Sequence, residues 1–244
     1  MIVEDISVDQ AALPAYLVRP DNAAPGTAPG IVFFHWVEYG SPTSNRTEFL
    51  EEAKSLAEDG VVSILVDGRF PWHEAPDSIA HDTAALDADL GMLRKAYEAL
   101  LAQPAVDPAR TMFVGHDFGA MYQSAVFAED ERPLALVMMA PTSRWADWFA
   151  KYWRISDDLD AYSAALAPYD PITALPRVAD RPILLQFADN DQYVSAAVAE
   201  EIAQAVGDNA EVRHYDAGHD LENETAHADR VSWVKSVLGM DDPE

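Results

Sequence analysis

Thr111-Met112-Phe113-Val114-Gly115-His116-Asp117-Phe118-Gly119-Ala120 decides how the rest of the chain is read. An apolar run leads into Gly-His-Asp-Phe-Gly, and small residues then open a helix-compatible stretch through Phe127. This is the pattern of a nucleophile elbow, a tight strand-to-helix turn that lifts its central side chain above a sheet and requires small flanking residues. The common form of the motif carries serine at its centre, and this chain carries Asp117. An ionised carboxylate needs no base to activate it and attacks a saturated carbon well. At an ester carbonyl it would form only a reactive anhydride.

The sequence on either side supplies the sheet that such a turn needs. Gly30 to His35 and Val61 to Val66 are continuous apolar runs, as in strands buried on both faces. Leu134 to Ala140, Ile183 to Ala188 and Ala210 to Tyr215 read as further strands, and Ile2 to Val8 with Ala15 to Arg19 as an opening hairpin-like pair. Helices are predicted over Thr47 to Asp59, Ser195 to Val206 and Asn223 to Leu238. The clearest spans Asp82 to Ala102, where Leu86, Leu90, Leu93, Tyr97 and Leu100 step by four and three. Strands alternating with helices predict an α/β fold, with a mainly parallel central sheet flanked by helices on both faces in one domain over residues 1–244. A short insertion at 141–165 breaks the rhythm with Trp145, Trp148, Phe149, Tyr152, Trp153 and Tyr162, and reads either as packing helices or as a pocket wall. The charged end, Asp241 to Glu244, is expected to fray.

Composition narrows the function classes. The net charge is −26 with a pI near 4.3, so a phosphate backbone or an anionic membrane would be repelled. That charge reads as a solvated surface, or as adaptation to high salt, where screening removes self-repulsion. No stretch approaches the ~18 apolar residues of a membrane span, and the N-terminus lacks a signal-peptide pattern. With no cysteine there is no thiolate nucleophile or disulfide framework, and no paired-histidine spacing suggests a metal. The expectation is a cytoplasmic protein acting on a small molecule, without metal or cofactor and without nucleic-acid or membrane partners. Oligomeric state is not readable.

Two further segments complete a constellation. Asp189-Asn190-Asp191-Gln192-Tyr193-Val194 follows one strand, and Tyr215-Asp216-Ala217-Gly218-His219 follows the last. Nucleophile, acid and histidine in that order resemble the α/β-hydrolase superfamily, and the compact dienelactone hydrolase-like group without a large cap domain in particular. That group's D-x-x-V turn matches Asp191 to Val194, which implies Asp191 as the acid, with Asp189 as competitor. Its A-G-H segment matches Ala217 to His219, which implies His219 as the base. The departure is Asp117: ester- and lactone-hydrolysing members place Ser or Cys there. Haloalkane and fluoroacetate dehalogenases and epoxide hydrolases place Asp, usually beneath a larger cap.

The resemblance implies a catalytic triad of Asp117, His219 and Asp191. Asp117 would attack a carbon bearing a halide or an epoxide oxygen, and His219 would activate the water that hydrolyses the resulting ester. Oxyanion donors would be the N–H of Phe118 and that of Trp36 or Val37. Candidate substrate contacts are His35, Tyr39, Arg69, Trp72, Trp148, Tyr152 and Trp153, with Arg69 placed to hold a carboxylate. The alternatives are ester or lactone hydrolysis by His219-activated water, and a non-catalytic binding member of the fold.

Overall fold

The computed structural model describes residues 1–8, 13–153, 158–178 and 180–240. The tail at 241–244 and part of the aromatic insertion, 154–157, lie outside the described residues. The strands are β1 (Ile2–Ser7), β2 (Pro14–Arg19), β3 (Ala28–Phe34), β4 (Val62–Val66), β5 (Val106–His116), β6 (Ala135–Met139), β7 (Ile183–Ala188) and β8 (Ala210–Tyr215). They form one sheet in the order β1-β2-β4-β3-β5-β6-β7-β8. The pairs β1–β2 and β2–β4 are antiparallel, and every pair from β4 to β8 is parallel. Every residue of β3, β4, β6 and β7 is buried, which is why these strands read as unbroken apolar runs.

The helices are α1 (Leu50–Glu58), α2 (Ile79–Leu101), α3 (Phe118–Glu129), α4 (Trp145–Tyr152), α5 (Leu159–Leu166), α6 (Pro171–Ala174), α7 (Ala196–Val206) and α8 (Glu224–Val237). Helices α1 and α8 cover one face of the sheet, while α2, α3 and α7 cover the other. Three boundaries differ from expectation by three residues or more. Helix α1 starts at Leu50 and not Thr47, because Asn45 Oδ1 accepts the Thr47 N–H and holds a turn there. Helix α2 starts earlier, at Ile79, capped by Ser78. Strand β5 also starts earlier, at Val106, where Ala28 of β3 pairs with it. Among the described residues no helix is long and apolar enough to cross a membrane.

The β5–α3 junction is the tightest point. Asp117 has φ 52° and ψ −120°, a conformation that costs a non-glycine residue about 1–3 kcal/mol. Its N–H donates to Met139 O at 2.8 Å, and its carbonyl accepts the Met121 N–H at 3.1 Å, so both neighbouring elements hold the turn. A Cβ on Gly119 would lie 2.2 Å from Phe34 O and 2.6 Å from His35 O. One on Gly115 would lie 2.4 Å from Gln123 Oε1 and 2.7 Å from Ala120 N. Glycine here lets the start of α3 press against the end of β3, which brings Asp117 beside the loop after β3.

Gly119→Ala should therefore cost about 3 kcal/mol or more, the upper end for overpacking, because the obstructing atoms are backbone. Gly91→Ala, with open space around its Cβ in α2, should instead gain up to about 1 kcal/mol. Urea unfolding of the two variants checks this. A Gly119→Ala protein as stable as its parent would contradict the close approach.

Candidate active site

Three strand ends deliver the expected residues to one place, outside the carboxyl edge of the parallel sheet, where α/β proteins place their ligands. Asp117 follows β5, Asp191 follows β7 and His219 follows β8. His219 Nδ1 lies 2.8 Å from Asp191 Oδ2, and Asp191 Oδ1 accepts the backbone N–H groups of Tyr193 (2.7 Å) and Val194 (2.9 Å). The turn thus fixes the carboxylate that fixes the imidazole. Asp189 lies elsewhere, exposed and 3.5 Å from His214 Nδ1.

On the other side of the ring, His219 Nε2 stands 3.9 Å from Asp117 Oδ2, an ion-pair distance too long for a hydrogen bond. Both His219 Nε2 and Asp117 Oδ1 are buried without a hydrogen-bond partner among the described residues. Burial alone would push the His219 pKa down, but the Asp117 and Asp191 carboxylates outweigh it and raise the value to about 10. Asp191 moves the opposite way: burial would raise it, and bonding to His219 holds it below the usual carboxylate range.

The loop after β3 is the one expected to supply an oxyanion donor. The Val37 N–H donates to Asp117 Oδ2 at 3.3 Å, whereas the Trp36 N–H is taken by Glu48 Oε2 at 2.7 Å. The Phe118 N–H opens α3, where no intrahelical acceptor exists for it. Val37 N shares its peptide plane with the Trp36 carbonyl, and that oxygen receives three donors. They are His35 Nδ1 (2.7 Å), Trp72 Nε1 (2.7 Å) and Ser44 Oγ (3.0 Å). Because C=O and N–H point in opposite directions across a trans peptide, pulling on the oxygen aims the Val37 N–H at Asp117. Burial lowers the His35 pKa to about 3, so the ring is neutral, donating through Nδ1 and accepting the Gly68 N–H at Nε2 (2.9 Å).

His116 locks this loop to the His219 loop. Its Nδ1 lies 2.6 Å from Glu48 Oε1, its Nε2 lies 2.9 Å from His219 O, and its ring stacks on Trp36 at 5.2 Å. Glu48, His116, Ser44 and Tyr193 do not stand out in the sequence as site residues. The one available signal is His116 itself, adjacent to the nucleophile position.

Above the pair lies a cleft of about 660 Å³ whose aromatic walls are Tyr39, Trp72, Trp148, Tyr152, Trp153 and Tyr193. Of the expected substrate contacts, Tyr39, Trp72, Trp148, Tyr152 and Trp153 line it. His35 does not; it is buried beneath, serving the Trp36 carbonyl. Arg69 is exposed and also off the wall. Asp117 itself is fully buried. Val37, Trp148 and Tyr193 border the cleft and also meet Asp117 or His219: the Val37 N–H bonds Asp117, and Tyr193 and Trp148 lie 4.9 Å and 6.0 Å from His219 between ring centroids.

No protein-family model and no curated protein sequence matches the chain. Solved structures do. An esterase from Thermogutta terrifontis superposes with a TM-score of 0.71 at 16% identity, over 100% of this chain and 94% of that one. An acetyl xylan esterase from a Paenibacillus species gives 0.71 at 16% identity, over 96% and 88%. A Klebsiella pneumoniae protein assigned as a dienelactone hydrolase gives 0.71 at 17% identity, over 98% of both chains. At these identities the likeness establishes the fold, that of the α/β-hydrolases.

The raised His219 value has a definite consequence for stability. The stabilisation from charging His219 is complete below its ordinary value of 6.5 and is lost as pH rises through about 10. Unfolding free energy should thus contain a component that declines over that window, and Asp117→Asn should flatten it by removing one of the two charges. Urea unfolding across pH, with an NMR titration of the His219 ring, tests this. A ring that titrates at or below 6.5 in the parent protein would refute it.

Proposed function

We propose that this α/β-hydrolase-fold chain is a hydrolase that opens a carbon–halogen bond or an epoxide in a small substrate through an ester formed on Asp117. The observation that carries the reading is Asp117 Oδ1, which sits at the elbow beneath the cleft without a partner, while Oδ2 already faces the Val37 N–H. Oδ1 forms the new C–O bond and the halide or epoxide oxygen leaves with the electron pair. The indole N–H groups of Trp72 and Trp36 are already donated, to Trp36 O and Thr43 Oγ1. That leaves Trp148 and Trp153 on the cleft wall, of which Trp148, packed on both His219 and Phe118, is the one placed to stabilise a departing halide, with the Tyr152 hydroxyl suited to an epoxide oxygen.

Esterification removes the Asp117 charge, and with it much of what keeps His219 protonated. The imidazolium then yields its Nε2 proton to the alkoxide, or to water where the leaving group is a halide. The neutral ring next takes a proton from the water that attacks the ester carbonyl. Negative charge develops on Oδ2, where the Val37 N–H already points and the Phe118 N–H adds a second donor. Collapse releases the alcohol and restores the carboxylate.

A second reading, ester hydrolysis by His219-activated water, is favoured by the esterases among the similar structures. Against it stands the charge state of His219: a ring held protonated by an ionised Asp117 is a poor base in the resting protein.

A single turnover in water enriched in heavy oxygen separates the two. The proposed route places the label in the Asp117 carboxylate and leaves the product alcohol unlabelled, whereas direct attack by water labels the product. His219→Ala should also accumulate a mass increase on the Asp117 peptide when given a haloalkane or epoxide that the parent turns over. An unlabelled Asp117 with such a substrate would sink the covalent scheme.

A further inference from the structure

We infer that the cleft over Asp117 selects an organic cation, a substrate carrying an alkylammonium group, over neutral and anionic molecules of the same shape. Turnover of such a substrate rests on the chemistry proposed for Asp117, while its binding is separable from that chemistry. Around the cleft, Trp148, Tyr152 and Tyr193 form a continuous aromatic wall, with ring centroids 5.3 Å and 5.9 Å from Trp148 to Tyr152 and Tyr193. Ring faces of this kind attract ammonium groups, and do so more strongly where water is excluded. One such contact already exists within the chain, Lys151 Nζ at 4.9 Å from the Tyr152 centroid.

The charged groups point the same way. Among the described residues the wall contains the carboxylates of Glu38 and Glu74, the imidazole of His73, and no lysine or arginine. Glu74 lies 3.6 Å from His81 Nε2. Glu38 accepts the Tyr193 hydroxyl at 3.2 Å, and among the described residues no cation lies within ion-pair distance of it. A partly buried carboxylate without a counter-ion, set among aromatic rings and above a second carboxylate at Asp117, attracts a cation and repels an anion. The net charge of −26 acts in the same sense at longer range. Arg69, the cation expected to hold a carboxylate substrate, lies off the wall.

Choline and its neutral carbon counterpart, 3,3-dimethyl-1-butanol, differ only in the charged centre, and 3,3-dimethylbutyrate supplies the anion. Calorimetric titration of the intact protein at fixed ionic strength should show choline binding at least tenfold tighter than the alcohol, with no binding of the butyrate. Glu38→Gln should weaken choline about fivefold and leave the alcohol unchanged. Tyr152→Leu combined with Trp153→Leu, which keeps every charge, should weaken choline comparably. Equal affinity for choline and the alcohol, or choline binding indifferent to both variants, would overturn the inference and reduce the effect to surface charge. None of these readouts depends on turnover, so they stand apart from the labelling of Asp117.

Discussion

The site depends on one steric junction, the contact between the first turn of α3 and the last residues of β3. Only because Gly119 has no side chain can it approach the carbonyls of Phe34 and His35 so closely. That approach places the elbow directly beside the loop that begins at His35. Without it, Val37 and Asp117, 80 residues apart in sequence, would not share a hydrogen bond. The strain at Asp117, on the order of 1–3 kcal/mol, is met by a fully buried surround that leaves the turn no relaxed alternative. From this junction a chain of polar contacts runs outward: Trp36 carbonyl to His35, Trp72 and Ser44, Trp36 N–H to Glu48, Glu48 to His116, and His116 to the His219 carbonyl. The loops bearing the oxyanion donor and the histidine are thereby fixed relative to each other, a degree of order that a low-dielectric site rewards.

An aspartate at the elbow changes the electrostatics of the histidine as well as the nucleophile. A serine hydroxyl would leave His219 facing one carboxylate, Asp191. Here it faces two, and the second lies 3.9 Å from Nε2. The Asp117 charge thus helps to raise the basicity of the ring, an effect that esterification of Asp117 would remove. On the proposed chemistry that removal is useful, since the base is needed only in the second step. The same coupling makes a direct hydrolytic role for the histidine harder to sustain.

Much of this was legible in the chain. The unbroken apolar runs of β3, β4 and β7 announced strands buried on both faces, and the elbow, the D-x-x-V turn and the Ala-Gly-His segment marked the strand ends that meet. What local sequence could not carry was long-range pairing. Glu48 reads as an ordinary residue near a helix start, yet it joins His116 from 68 positions away. His35 reads as a pocket histidine because it ends a strand at the right edge. Its ring instead turns beneath the sheet edge to hold the Trp36 carbonyl, an arrangement set by Gly68 and by burial. Arg69 stands at a strand end on the correct side, but Phe70 beside it is buried with its N–H on Asp89 (2.9 Å), and the arginine remains exposed. A strand-end position fixes where a residue's backbone lies, and neighbouring anchors decide which way its side chain points.

The closed state of the site reflects the same economy of parts. Much of its wall comes from the aromatic segment around α4. Trp145 and Phe149, both fully buried, root that helix against Phe118, immediately after Asp117. Trp148, on the same short helix, is left facing His219 and the cleft. Trp148 and Tyr193 are thus the aromatic side chains that stand between His219 and the cleft. On the proposed function, the element that packs on the histidine is also the one that meets the substrate.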